Sequence, residues 1–146
     1  MNRGHTILLL ALVLLVGSIL VGCGGPAKGS AEWHLDQGNR FTGQGRYDEA
    51  IEEYSKGIDL AHEDANAYNN RGIAYSQKGE LDQAIADFDK AIELAPELAK
   101  AYNNRGYACY LKGEVAKAVS DFEKCIDLSN DPRLVAKAQR LLDEIR

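Results

Sequence analysis

Between residues 31 and 132 the chain repeats itself three times with a period of 34 residues. In register, Gly38, Gly72 and Gly106 coincide, as do Gly45, Gly79 and Gly113, then Ala50, Ala84 and Ala118. Ile51, Ile85 and Val119 follow, then Tyr54, Phe88 and Phe122, then Ile58, Ile92 and Ile126, with Leu60, Leu94 and Leu128 at the end. A unit this short cannot bury its apolar residues alone, so the copies must stack on one another. The period predicts a helical solenoid. Such an array has no single enclosed pocket by default and offers a long concave face, which points to binding rather than chemistry.

Each unit divides at its central glycine. In the second, Ala67, Tyr68, Gly72, Ile73 and Tyr75 recur at helical spacing; after Gly79, so do Leu81, Ala84, Ile85, Phe88, Ala91 and Ile92. Lys78-Gly79 reads as a helix end with a left-handed glycine cap. The expectation is a helix hairpin, with Gly72 and Ala84 small where the paired helices approach and Tyr68 and Phe88 filling the space around them. Past Pro132, residues Leu134, Val135, Ala138, Leu141, Leu142 and Ile145 form one apolar stripe, and Asn130-Asp131-Pro132 is a cap-and-start signal. That last helix is expected to cover the bare face of the third unit.

Tyr68, Gly72, Tyr75, Ala84, Phe88, Ala91 and Pro96, with their equivalents in the other units, resemble the tetratricopeptide repeat. The first unit departs with Gly57 and His62, the third with Cys109 and Cys125; these loosen the packing expected but not the fold. The resemblance implies an all-α, helical-hairpin solenoid of three tetratricopeptide repeats plus a C-terminal capping helix. Repeat 1 is 31–64, repeat 2 is 65–98, repeat 3 is 99–132 and the capping helix is 133–146.

The first residues have a different logic. Arg3 is followed by an uncharged stretch over 6–22 that ends in Leu20-Val21-Gly22-Cys23. A basic start, an apolar centre and small residues at the end form a signal-peptide layout. The final tetrapeptide resembles a bacterial lipobox, which implies lipidation of Cys23 and cleavage before it. Residues 1–22 are then a lipoprotein signal peptide, and 23–30 carry the lipidated cysteine and a flexible linker rich in small residues. An uncleaved transmembrane anchor is the alternative, though the stretch is at the short limit for a span. Both place the domain outside the cytoplasm on a membrane: the outer membrane if the cell has one, otherwise the outer leaflet of the cell membrane.

Removing residues 1–22 takes away Arg3 and no acid, so the formal charge of −5 becomes −6. An acidic chain without a basic run is a poor match for nucleic acid. Cys109 and Cys125 are not expected to pair: in a hairpin turning at Gly113 they are offset by roughly 6 Å along the axis, beyond disulfide reach. They read as small buried hydrophobes.

In this family the first helix of each repeat lines the concave groove. Here those positions are Glu32, Leu35, Asn39 and Thr42; Asn66, Asn69, Asn70, Ile73 and Gln77; and Lys100, Asn103, Asn104, Tyr107 and Leu111. The candidate peptide-binding groove is Asn39, Asn66, Asn69, Asn70, Ile73, Lys100, Asn103, Asn104 and Tyr107. An asparagine carries both donors and an acceptor, so it can pair with the N–H and C=O of an extended peptide. Asn70 and Asn104 resemble rungs of the asparagine ladder in the repeat domain of O-linked N-acetylglucosamine transferase; paired asparagines are also a common choice on solvated helices of such repeats. Asn39, Asn70 and Lys100 match three positions of the carboxylate clamp of chaperone-binding repeats. Leu35 and Asn104 stand where the clamp has cations, which removes much of its electrostatic grip.

Arg71 and Arg105 are expected to lie across neighbouring helices and pair with acids. Asp87 and Asp89 are expected on a solvated face, His62-Glu63-Asp64 in a solvated turn, and His34 in isolation. No phosphate loop, metal-helix motif or nucleophile elbow appears. These residues lead to a membrane-anchored protein–protein interaction module that binds a peptide segment or envelope partner, as an assembly or scaffold factor. It needs no cofactor, metal, nucleic acid or small-molecule substrate and is not an enzyme. The alternative is a structural, self-associating solenoid of the cell envelope.

Overall fold

Three glycines in register set the hairpins of this chain. In the computed structural model, which describes residues 25–146, Gly45, Gly79 and Gly113 have φ of 73°, 79° and 81°. At Gly79 the left-handed turn lets the Glu80 N–H reach back to the Tyr75 carbonyl at 3.0 Å and the Gly79 N–H reach that of Ser76. These bonds close the helix end and reverse the chain. The helices are α1 (Ala31–Gly43), α2 (Tyr47–Leu60), α3 (Ala65–Gln77), α4 (Leu81–Leu94), α5 (Ala99–Leu111), α6 (Val115–Leu128) and α7 (Pro132–Ile145). The described residues contain no strand. The expected signal peptide and Cys23 lie outside the described residues.

Ser30, Asp64 and Asp131 cap α1, α3 and α7 by accepting hydrogen bonds from backbone N–H groups one turn in. Asp64 thus supplies the cap of α3, which is the role of the His62-Glu63-Asp64 turn. Pro132 starts α7 at a position where its missing N–H costs nothing.

Within each hairpin the helices touch at a small residue facing a ring. A Cβ on Gly72 would stand 2.7 Å from Phe88 Cε1, so nothing larger fits without moving the ring. Tyr54, Phe88 and Phe122 are fully buried in the same role, one per repeat. Gly57 does not loosen its repeat: a Cβ there would meet Leu35 Cδ2 at 2.6 Å, so the glycine makes room for that leucine. Cys109 and Cys125 are buried and free, and burial pushes both thiols up, away from the reactive thiolate. Ala138, Leu141 and Leu142 of α7 close the core formed by α4, α5 and α6.

Each helix packs on the next in sequence. In addition α1 touches α3, α3 touches α5 and α5 touches α7, whereas α2, α4 and α6 do not meet one another. One row is in contact along its length and the other is splayed, so the array bends toward the first row. The concave side is therefore made by α1, α3, α5 and α7. Among the described residues no helix is long and apolar enough to cross a membrane.

Candidate functional site

Five asparagines on the concave row are joined in one chain of hydrogen bonds. Asn103 Nδ2 donates to Asn104 Oδ1 at 3.4 Å, Asn104 Nδ2 to Asn69 Oδ1 at 3.0 Å, and Asn69 Nδ2 to Asn70 Oδ1 at 3.2 Å. Asn70 Nδ2 donates in turn to Asn39 Oδ1 at 3.1 Å, and the Tyr54 hydroxyl donates to the same oxygen at 2.8 Å. Every amide points the same way, and the chain crosses two repeat junctions. It stops at Asn103, whose Oδ1 is buried without a hydrogen-bond partner. The repeat explains the stop: the residue one period after Asn104 is Ala138, which has no donor to offer.

The chain divides the candidate residues by depth. Asn69 and Asn103 are each 1% exposed, so they hold the ladder from behind rather than lining the surface as expected. Asn70 and Asn104 are half-buried and Asn39 is exposed; each retains hydrogen-bonding capacity beyond its ladder bonds. Ile73, Asn104 and Tyr107 share the wall of one cavity of about 250 Å³. Asn66 lies elsewhere, on an opening of about 720 Å³ at the first repeat junction with His62, Asp64 and Leu94. Lys100 is exposed in the first turn of α5. Leu35 is half-buried and taken up in the packing of α1 on α2, and Thr42 donates to the Gly38 carbonyl at 2.9 Å.

Behind the ladder the arginines stitch the repeats together. Arg71 Nε and Nη2 each donate to an oxygen of Asp87 at 2.8 Å, and its Nη1 reaches Ser55 of the preceding repeat at 3.0 Å. Arg105 repeats the pattern with Asp121 and, in the preceding repeat, Asp89. The structural role expected for the arginines holds. The solvated face expected for Asp87 does not, because Asp87 is 6% exposed under its arginine. The bidentate bond to Asp87 raises the already high pKa of Arg71.

Repeat 1 solves the same problem with different residues. Gln37 stands in the arginine's place and carries no charge for Glu53. His34 Nδ1 sits 2.7 Å from Glu53 Oε2, and Lys56 donates to Oε1 at 2.8 Å. Burial pushes the Glu53 carboxyl up, but the bonds from Lys56 and His34 outweigh it and hold the pKa below the ordinary 4.5. His34 is therefore not isolated. The signal was in the register: an acid in the position of Asp87 with no arginine opposite must find another cation.

The family profile described as TPR repeat matches residues 38–79, and the one described as Tetratricopeptide repeat matches 65–98 and 99–131. The chain belongs to the tetratricopeptide-repeat family. A comparison with curated protein sequences returned no match. Among solved structures, the first TPR of Spaghetti (RPAP3) bound to the HSP90 peptide SRMEEVD is 30% identical with a TM-score of 0.74, covering 85% of this chain and 95% of that one. The second TPR domain of human RPAP3, in complex with the HSP70 peptide SGPTIEEVD, is 32% identical with a TM-score of 0.69, covering 77% and 91%. The TPR2B domain of yeast Sti1 in its pHsp70 complex is 27% identical with a TM-score of 0.70, covering 79% and 91%. These tetratricopeptide domains carry peptides. The fold and the family make this chain a protein-interaction module.

Proposed function

We propose that this tetratricopeptide protein holds an extended segment of a partner protein along the concave face of α1, α3, α5 and α7, without chemistry of its own. The amide ladder carries the reading. It fixes Asn39, Asn70 and Asn104 in one line and leaves part of each facing outward, a preorganised row of donors and acceptors for a peptide backbone. The peptide complexes of the similar domains support the same use of the face. The carboxylate clamp is not the proposed mode, because Leu35 is consumed in packing and Asn104 is neutral. The Leu20-Val21-Gly22-Cys23 tetrapeptide supports a lipid anchor at Cys23, which makes the module an assembly or scaffold factor of the cell envelope.

The test is position-specific crosslinking in living cells. A benzoylphenylalanine in place of Ile73 should capture a partner protein, and one in place of Asp127 on exposed α6 should not. Asn70→Ala should weaken the captured partner's binding by about fivefold to tenfold, the equivalent of roughly 1 kcal/mol for one hydrogen-bonding group. Capture from both positions alike, or affinity unchanged by Asn70→Ala, would remove the groove from the account.

A further inference from the structure

The concave face changes character toward its C-terminal end. Beside the cavity that contains Ile73 and Asn104 lies a second, of about 450 Å³, lined by Tyr107, Tyr110, Lys137, Arg140, Leu141 and Glu144. Tyr107 and Lys137 belong to both, so a segment following the ladder past Asn104 passes directly into the second cavity. Tyr107 and Tyr110 are 39% and 37% exposed, on successive turns of one helix. Tyrosines held on a rigid element offer flat apolar area at little conformational cost.

The cations come from the capping helix. Neither Lys137 nor Arg140 forms an ion pair among the described residues, so both charges are free to meet a ligand. Glu144, one turn on from Arg140, is the acid in the same wall, and it too is unpaired there. The wall thus holds two cations against one carboxylate in a chain whose formal charge is −5.

We propose that this end of the face is a subsite for an acidic peptide segment of the partner protein. One carboxylate of the segment is held by Lys137 and Arg140, and an apolar side chain lies on the rings of Tyr107 and Tyr110. The inference rests on the groove reading above and adds the chemistry of the segment. Side chains on one side of an extended strand alternate, so the acid and the apolar residue stand two apart in the bound sequence. A charge-assisted bond to lysine and arginine is stronger than one between neutral groups, and at this half-exposed site it weakens with salt. Glu144 repels a second carboxylate beyond the first, so the subsite selects one acid in register rather than an acidic run.

The test pans a random dodecapeptide display library on the full chain in mild detergent and titrates the recovered sequences as fluorescein-labelled peptides by anisotropy. The recovered peptides should share an Asp or Glu two positions from an aromatic or aliphatic residue. Lys137→Ala combined with Arg140→Ala should weaken their binding about tenfold, with the difference shrinking as salt is raised. Lys117→Ala combined with Lys124→Ala removes the same two charges from exposed positions on α6 and should change nothing. Peptides that lose affinity with Asn70→Ala yet ignore the loss of Lys137 and Arg140 overturn the subsite and leave the groove standing. A library that yields no binder overturns both.

Discussion

Asp87 and Glu53 occupy the same position in successive repeats, one buried and one half-buried, and each shows what a carboxylate partly out of water requires. Asp87 accepts from both Nε and Nη2 of Arg71, so removing it leaves a guanidinium partly out of water with Ser55 as its one remaining hydrogen-bond partner, beside the rings of Tyr68 and Tyr75. Asp87→Ala should therefore destabilise the domain by about 3 kcal/mol, well beyond an ordinary surface change. The double variant Arg71→Met with Asp87→Leu should lose less, because no charge is stranded. Urea unfolding of the variants measures this, and a loss below about 1 kcal/mol for Asp87→Ala would mean that the pair is solvated. For Glu53 the sign follows from its depressed pKa. The stability its charge contributes is present above the ordinary 4.5 and is lost as pH falls through the lower folded value. Glu53→Gln should cost stability at neutral pH, and the gap between variant and wild type should close on acidification. Thermal unfolding across pH 7 to 3 checks it; a constant gap would assign the loss to packing instead.

At the level of the helix row, the amide ladder separates two asparagines that are otherwise matched. Asn69 and Asn103 share a repeat position and are buried to the same degree, so the cavity cost of truncation is nearly equal. Asn69 both donates and accepts, while Asn103 donates across 3.4 Å and leaves its oxygen unpaired. Asn69→Ala should thus cost about 1 kcal/mol more than Asn103→Ala, since it also strands the Asn104 amide. Equal losses by chemical denaturation would show that the inter-repeat bonds contribute nothing net. The ladder also changes what an affinity measurement means. Asn70 and Asn104 tie α3 and α5 to the helices before them, so alanine at either loosens the row as well as removing a peptide contact. Affinities of such variants need to be read beside their unfolding curves.

For the whole molecule, the repeat and the first residues combine into one expectation about place. Cys23→Ser should leave an unprocessed, unlipidated precursor, and mass spectrometry of the membrane fraction should find acyl chains on wild-type Cys23. A wild-type chain whose N-terminus is an unmodified Cys23 would end the lipoprotein reading. The interior of the solenoid, by contrast, is legible in the sequence. Nearest-neighbour stacking gives every repeat nearly the same surroundings, so a residue's place in the 34-residue period already states its face. That is why the hairpin turns at Gly45, Gly79 and Gly113, the rings at Tyr54, Phe88 and Phe122, the unpaired cysteines and the cap at Asp131 could all be placed from the chain alone. What the period could not state is which polar groups meet across a junction. Asn104 finds Asn69 and Asn70 finds Asn39, and Tyr107 meets Lys137 in one cavity wall, only because the first helices touch while the second helices splay. Those meetings depend on the distance and angle between helices, which packing sets. The burial of Asp87 and Asn69 and the exposure of Tyr110 therefore belonged to the tertiary structure, while the fold itself belonged to the sequence.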